Sequence, residues 1–231
     1  MIAQTPSRIF ISAQRKWQHS RYHSCHSTFG QEDLNGALGK HLGSMRSFTC
    51  EVLIACGKKK YTVSEDTLLV LIPLVGSLKI SNVTDNGEQL LAPNEIASFL
   101  IRESASYYVN NLHKDQAINY LQIYLNVQAS PIQNCFGDVQ NNVLHTILKT
   151  VECQVNFGVF DGRKEVEYTL ENQNNGIFVF VINGVFEVQH RLLESRDALA
   201  LWDVGKIELE SLSENAILLV LELKNVQDNK T

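Results

Sequence analysis

Short apolar runs separated by turn-forming residues dominate the chain. In the first half these runs are rich in β-branched and aromatic residues: EVLIAC (51–56), TLLVLI (67–72), SLKI (77–80), IASFLI (96–101) and AINYLQIYL (117–125). Glycine, proline, asparagine and aspartate stand between them, and Asp85-Asn86-Gly87 has the composition of a tight hairpin turn. Because no long stretch follows a helical period, the pattern predicts an all-β chain.

The second half of the chain repeats the order of the first. TLLVLIPLVGSLKI (67–80) and GIFVFVINGVFEV (176–188) both reach a glycine and then resume as an alternating strand. Two later blocks, at 90–97 and 117–118, have counterparts about 100 residues further on, at 192–199 and 216–217. Three blocks in the same order indicate an internal duplication. Two copies of a small antiparallel unit predict two tandem jelly-roll barrels of the cupin type, a bicupin.

This pattern also predicts the domain boundaries. An N-terminal extension at 1–44 is expected to pack on the first barrel. The barrels are placed at 45–125 and 143–224, with a linker that contains Pro131 at 126–142 and a flexible tail at 225–231.

Composition and charge narrow the classes of partner. The chain has 231 residues, of which 44% are hydrophobic, enough to bury a sizeable core. Its net charge is -5, and the basic run Lys58-Lys59-Lys60 is short, so we expect no nucleic-acid partner. A signal-peptide core and a long apolar span are both missing, so we expect no membrane partner and a cytoplasmic location.

The cysteines do not indicate a disulfide framework or a thiolate zinc site. Their number is odd, and none form a C-x-x-C pair, so we predict reduced and mostly buried thiols. They are Cys25, Cys50, Cys56, Cys135 and Cys153.

Three segments resemble the pirin-like bicupin family, in particular its bacterial quercetinase-type branch. They are MRSFTCEVLIACGKKKYTVSEDTLLVLIPLVGSLKIS (45–81), HSCHSTF (23–29) and DALALWD (197–203). They occur in the order and at the spacing of the family, so the resemblance covers nearly the whole chain. It implies the bicupin fold and one transition metal in the N-terminal cupin.

The positions implied for the metal carry no metal ligands here. Where the family has an H-P-H pair, this chain has Thr62 and Ser64, followed by the retained acidic residue Asp66; where the family has H-x-E, we place Tyr107 and Val109. Transition metals need imidazole and carboxylate donors in fixed geometry, so we expect no metal, no cofactor and no catalytic residue. These four positions are predicted to line a cavity. Tyr107 either fills the volume of the metal or hydrogen-bonds a bound small molecule.

Histidines elsewhere leave one alternative open. His19, His23, Cys25 and His26 lie close together in sequence but lack the paired spacing of structural zinc sites, so packing and hydrogen bonding are favoured over metal binding. Isolated His113 is another candidate replacement ligand.

Three functions are therefore compared. The first is a pirin-like bicupin that has lost its metal site and acts as a small-molecule-binding or protein-interaction module, with an unknown partner. The alternative is a quercetin 2,3-dioxygenase-like enzyme with replacement ligands from His113 or from His23 and His26. The third is a structural role in supporting an oligomer or a partner surface. Because function belongs to the site and not to the fold, the substituted positions favour the first, non-catalytic, function.

Overall fold

The regular structure of the chain consists almost entirely of β-strands, which confirms the predicted fold class. The computed structural model describes residues 5–30, 42–83, 87–93, 95–126, 133–135 and 139–224. Within these ranges there is one short 3-10 helix at Ser12–Gln14, and no helix has the length and apolarity needed to cross a membrane. The predicted tail, most of the predicted linker and the turn residues Asp85 and Asn86 lie outside the described residues.

The described residues contain twenty-one strands. The first twelve are β1 (Ser7–Phe10), β2 (Lys16–His19), β3 (His23–Phe29), β4 (Met45–Leu53), β5 (Lys58–Thr62), β6 (Thr67–Val75), β7 (Leu78–Ser81), β8 (Glu88–Leu91), β9 (Glu95–Ile101), β10 (Ser106–Asn111), β11 (Ile118–Leu125) and β12 (Gln133–Cys135). The remaining nine are β13 (His145–Lys149), β14 (Cys153–Phe160), β15 (Glu165–Thr169), β16 (Gly176–Asn183), β17 (Phe186–Val188), β18 (Arg191–Leu193), β19 (Ala198–Leu201), β20 (Lys206–Ser211) and β21 (Ala216–Leu223).

The chain divides into two compact units, each with its own pair of sheets. The first barrel has a seven-stranded sheet in the order β12-β9-β6-β11-β4-β3-β2 and a four-stranded sheet in the order β5-β10-β7-β8. Its apolar core takes side chains from both sheets, for example Leu69 and Tyr120 from the larger and Ile80 and Val109 from the smaller. The hairpin predicted at 85–87 joins two strands that do pair, since Ser81 lies opposite Glu88.

The second barrel repeats the strand order of the first. Its six-stranded sheet runs β1-β19-β16-β21-β14-β13, and its four-stranded sheet runs β15-β20-β17-β18. The central order β9-β6-β11-β4 of one unit corresponds to β19-β16-β21-β14 of the other, and β5-β10-β7-β8 corresponds to β15-β20-β17-β18. Two copies of one topology support the duplication inferred from the sequence.

The N-terminal segment differs from its prediction. β2 and β3 extend a sheet of the first barrel, but β1 pairs with β19 of the second barrel, with Phe10 opposite Ala198. Phe10 is buried and lies 5.9 Å from the ring of Phe178. Residues 1–44 therefore do not form one extension on the first barrel. Sequence spacing could not reveal this, because the pairing partners of β1 are almost two hundred residues away in the chain.

Glu222 ties a loop to the second barrel. The residue is 3% exposed, and its carboxylate accepts a hydrogen bond of 2.6 Å from the Tyr168 hydroxyl. It also accepts hydrogen bonds from the backbone N–H groups of Glu171 and Asn172 and from Asn175 Nδ2. A buried carboxylate with this many donors fixes the chain that leads from β15 into β16.

We predict that Glu222→Leu lowers the free energy of unfolding by about 3 kcal/mol, because it leaves buried donors without an acceptor. Urea denaturation followed by circular dichroism measures the change. Glu208→Leu, on the exposed side of β20, is the control and should change the free energy by less than about 0.5 kcal/mol. Equal losses in the two variants would show that the carboxylate of Glu222 has no special role.

Candidate functional site

The inward-facing residues of β5 and β10 define the candidate site in the first barrel. Successive side chains of a strand point to opposite faces, so Tyr61 and the following Val63 point inward while Thr62 points outward. On β10, Tyr107 lies opposite Tyr61, and both Tyr107 and Val109 are fully buried.

The four positions predicted from the sequence do not line one cavity. Thr62 and Ser64 are exposed, and the Thr62 hydroxyl lies 2.8 Å from the Ser106 hydroxyl on the outer side of the sheet. Tyr107 and Val109 lie in the core. The physical reason is the two-residue period of a strand, in which a shift of one residue exchanges the inner and outer faces.

Two tyrosines stack at the centre of the site. The rings of Tyr61 and Tyr107 have centroids 5.1 Å apart and an interplanar angle of 15°. The Tyr61 hydroxyl lies 2.8 Å from the Tyr120 hydroxyl of β11 and 3.3 Å from Nε2 of His23. The stack therefore joins the small sheet to the large one through phenol groups.

A second group of hydrogen bonds surrounds Tyr107. Its hydroxyl donates to Gln122 Oε1 at 2.9 Å and lies 2.7 Å from the Tyr124 hydroxyl. Gln122 Nε2 in turn donates to the Tyr124 hydroxyl at 3.2 Å. Each of the three side chains thus has a partner in the other two, and no additional molecule is needed to satisfy the Tyr107 phenol.

A buried histidine and glutamate complete the network. His23 Nε2 lies 2.5 Å from Glu51 Oε2, and the Thr49 hydroxyl donates to Glu51 Oε1 at 2.7 Å. His23 and Glu51 are 8% and 2% exposed. Cys25 lies opposite Glu51 across β3 and β4. The pair connects the N-terminal hairpin of β2 and β3 to the barrel interior.

The surroundings of the network keep its phenols and thiol protonated. Burial raises the pKa of Tyr61, Tyr107 and Tyr120 well above the ordinary tyrosine value, and it raises the pKa of Tyr124 to about 12. Burial, and then the charge of Glu51, also raises the pKa of Cys25. These side chains are therefore neutral hydrogen-bonding groups at physiological pH.

The histidine cluster predicted near the N-terminus is divided between two faces. His23 and Cys25 point into the barrel, whereas His26 lies opposite Trp17 on the outer face, with ring centroids 6.1 Å apart and nearly parallel planes. His19 also packs against Trp17, at 5.3 Å. Packing and hydrogen bonding thus account for these residues, as the sequence favoured.

Asp66 has a local structural role. Its exposed carboxylate accepts hydrogen bonds from the backbone N–H of Glu103 at 2.8 Å and from the Arg102 guanidinium at 2.7 Å. These two bonds lower the pKa of Asp66. The neighbouring Glu65 forms an ion pair with Arg46. Both carboxylates hold surface loops and face away from the tyrosine stack.

The free cysteines differ in exposure. Cys50 and Cys153 are buried, Cys25 is partly buried and Cys56 is exposed. The side chain of Cys135 lies outside the described residues.

Comparison with known proteins places the chain among cupins. Residues 151–223 match the family model of the quercetinase C-terminal cupin domain. No curated protein sequence matches the chain. Among solved structures, YhhW from Escherichia coli has a TM-score of 0.80 at 14% identity, over 97% of this chain and 100% of that chain. The chain therefore has the bicupin fold of these structures.

Two further structures extend the comparison. Bacterial pirin YhhW from Escherichia coli in complex with nickel(II) has a TM-score of 0.76 at 14% identity, over 96% of this chain and 100% of that chain. Quercetin 2,3-dioxygenase from Acinetobacter baumannii has a TM-score of 0.71 at 11% identity, over 94% and 86%. At these identities the likeness concerns the fold.

The side chains inside the first barrel do not fit the metal that the fold implies. Val63 and Val109 have no donor atom, and Tyr61 and Tyr107 are protonated phenols that already have hydrogen-bond partners. Within the described ranges, no group of three or more His, Cys, Asp or Glu side chains is placed to hold a metal ion. Transition metals prefer imidazole and carboxylate donors, and the stacked phenols offer neither.

The proposed replacement ligands do not converge either. His23 and His26 are on opposite faces of β3, since Cys25, next to His26, pairs with the inward Glu51. His113 follows β10, and its Nε2 accepts a hydrogen bond from the Ser77 backbone N–H at 3.3 Å. Each of the three histidines thus has its own separate environment.

Sequence reasoning missed most of the polar interior. Tyr120, Gln122 and Tyr124 alternate along AINYLQIYL, which is the signal that one face of β11 is polar. Glu51 within EVLIAC gave no such signal, because a single carboxylate at the start of an apolar run reads as a strand end. Its burial follows from the pairing of β4 with β3 and β11.

We predict that Tyr107→Phe lowers the free energy of unfolding by about 1 to 2 kcal/mol, because Gln122 Oε1 loses its donor and the Tyr124 hydroxyl loses one of its two partners. Tyr108→Phe is the matched control. Tyr108 is the next residue, on the outer side of β10, with Lys58 Nζ 4.2 Å from its ring centre. Removal of the Tyr108 hydroxyl should lower the free energy of unfolding by less than about 0.5 kcal/mol. Equal effects in denaturation experiments would contradict the inward network.

We also predict a loss of stability in alkaline solution. The buried phenols have raised pKa values in the folded protein, whereas in the unfolded chain they ionise near pH ~10. Their contribution is therefore complete below pH ~10 and declines as the pH rises above it. Urea denaturation at several pH values, with tyrosinate absorbance followed in parallel, measures both effects. Titration of every tyrosine near pH ~10 in the folded protein would contradict the prediction.

Proposed function

We propose that this pirin-like bicupin works without a metal, as a binding module and not as an enzyme. The observation that carries the proposal is the set of inward-facing residues Tyr61, Val63, Tyr107 and Val109. They occupy the interior of the first barrel without presenting a metal ligand. These inward positions support the loss of the metal site that the sequence predicts. Two of them, Tyr61 and Val63, replace the predicted positions Thr62 and Ser64.

The filled interior favours an interaction surface over a ligand held inside the barrel. Tyr107 and Tyr120 are fully buried, and their hydroxyl groups bond to other side chains of the same network. A small molecule at this point would have to displace a stacked tyrosine pair and break several buried hydrogen bonds. We therefore propose that the module acts on a protein partner through its outer faces. A cytoplasmic location remains a prediction.

The enzyme alternative lacks the same support. The quercetin 2,3-dioxygenase from Acinetobacter baumannii shares the fold, but fold alone does not establish an activity. A metal-dependent oxygenase would need several ligands around one point. In the described part of this chain, His23, His26 and His113 lie in different environments.

A designed change of the site tests the proposal. The protein is purified after growth with iron, nickel and copper, and its metal content is measured by elemental analysis, with oxygen-dependent consumption of quercetin as a second assay. We expect no stoichiometric metal and no turnover. The variant Tyr61→His/Val63→His/Tyr107→His/Val109→Glu places three imidazoles and a carboxylate inward, and we expect it to bind nickel(II) in calorimetric titration.

The matched control contains the same four new side chains, but the two histidines near the end of β5 are shifted by one residue: Thr62→His/Ser64→His/Tyr107→His/Val109→Glu. Its two histidines on this segment point outward, so it should bind nickel(II) at least about tenfold more weakly. Circular dichroism reports whether each variant folds. Stoichiometric iron, nickel or copper in the unmodified protein would overturn the metal-free proposal, and tighter binding by the control would overturn the inward positions assigned here.

A further inference from the structure

The outer face of the small sheet in the second barrel is strongly acidic. β15, β20 and β17 bring five carboxylates around one open groove of about 510 Å³, together with Gln189 and His190. We call these five residues the acidic face: Glu165, Glu167, Glu187, Glu208 and Glu210. Glu165 lies directly opposite Glu210, which lies opposite Glu187, and Glu167 lies opposite Glu208. Like charges placed opposite one another in a sheet repel, so the arrangement is costly for an isolated barrel.

The cations nearby do not balance this charge. Lys206 lies 2.8 Å from Glu167 and 3.6 Å from Glu208, and Arg163 reaches Glu210 at 3.4 Å. The hydrogen bond and the charge of Glu167 raise the pKa of Lys206. Glu165 forms no ion pair with any residue in the described ranges. A net negative potential therefore remains over the groove.

The corresponding face of the first barrel is basic. Lys58 and Lys60 are exposed on the outer side of β5. Lys79 lies on β7 of the same sheet, separated from Lys58 by Asn110 of the intervening β10. Lys79 pairs with Glu88, whereas Lys58 rests on the ring of Tyr108. We call Lys58, Lys60, Lys79 and Tyr108 the basic face. Lys58 and Lys60 form no ion pair within the part of the chain that the structure describes.

The two faces are equivalent positions of the duplicated unit with opposite charge. β5 reads KKKYT and β15 reads EVEYT, and in both strands the tyrosine points inward. Lys58 and Lys60 therefore correspond to Glu165 and Glu167. Residues two apart on a strand are separated by about 6.6 to 6.8 Å, so the two ammonium groups have the spacing of the two carboxylates.

We propose that the acidic face of one molecule docks onto the basic face of a second copy of this chain. Charge complementarity and equal spacing on exposed sheet faces identify the occupant as this chain itself, since one copy carries both halves of the contact. The contact is heterologous, because it joins two different faces. Each added copy therefore leaves one acidic and one basic face unoccupied at the ends of the assembly. The assembly either closes into a ring or grows with protein concentration. This inference does not depend on the metal content of the first barrel.

Salt and concentration test the association first. Sedimentation velocity of the purified protein is measured over a range of concentrations at about 20 mM and about 300 mM NaCl, because screening weakens contacts between exposed charges. We expect association at low salt and at least a tenfold weaker apparent affinity at high salt. A monomer at every concentration in low salt would overturn the proposal.

Neutral variants then identify the faces. Lys58→Gln/Lys60→Gln neutralises two of the three lysines of the basic face, and Glu165→Gln/Glu167→Gln/Glu208→Gln neutralises three of the five carboxylates of the acidic face. Each variant alone should be monomeric at low salt. An equimolar mixture of the two should form a 1:1 complex, because each retains the face that the other has lost. Lys16→Gln/Lys114→Gln removes the same charge from other exposed strands and loops and should associate like the unmodified protein.

The other possible outcomes would overturn the proposal. Self-association that persists in either face variant, or that is lost equally in the Lys16/Lys114 control, would assign the contact to another surface and overturn the proposal. So would a monomeric protein whose acidic face binds a lysine-rich peptide, because the partner would then be a basic protein and not a second copy. Metal analysis of the same samples keeps this test separate from that of the proposed function.

Discussion

The two-residue period of the β-strand is the constraint on which the candidate site depends. In KKKYTVS, alternate residues face the interior and the surface of the barrel. Tyr61 and Val63 therefore point inward, whereas Thr62 and Ser64 point outward. A difference of one residue replaces an exposed pair of hydroxyl side chains by a partly buried tyrosine and a buried valine. Everything concluded about the metal site follows from that choice of face.

Once the inner face is polar, burial requires that every group on it finds a partner. The first barrel meets this requirement with two connected sets, one around the His23 and Glu51 pair and one around Tyr107. The second barrel meets it only in part. Tyr168 bonds to Glu222, and buried Asn156 bonds to Thr146 and to the Val220 carbonyl, but in the described residues the side-chain oxygens of buried Glu152 have no hydrogen-bond partner. The duplicated tyrosine is thus kept in both units, but its partner is a phenol in one and a carboxylate in the other. A network of this kind restricts the interior to one arrangement, since a half-satisfied network is worse than an apolar core.

Sequence reasoning predicted the fold well, because strand patterns and repeats are local signals that survive duplication. The lack of histidine in the segments that correspond to H-P-H and H-x-E is a property of the sequence itself, whereas the loss of the metal site stays a prediction. The sequence could not predict which residues of β5 point inward, because a gapless comparison with a family pattern does not reveal which face of a strand is buried. The partner of β1 and the burial of Glu51 depend on contacts between distant segments, and no local pattern reports them.

The small sheets of the two barrels share a tyrosine on the inner face but carry opposite charges on the outer face. These two facts need different explanations. The YT pair that follows KKK in β5 and EVE in β15 keeps one tyrosine pointing inward in both barrels, as packing requires. Packing places no such demand on outward residues, so Lys58 and Glu165 could diverge freely. Free divergence, however, gives scattered charges, whereas here carboxylates face carboxylates across two strand pairs. Such repulsion costs stability in the isolated barrel, and a partner surface of opposite charge offsets that cost.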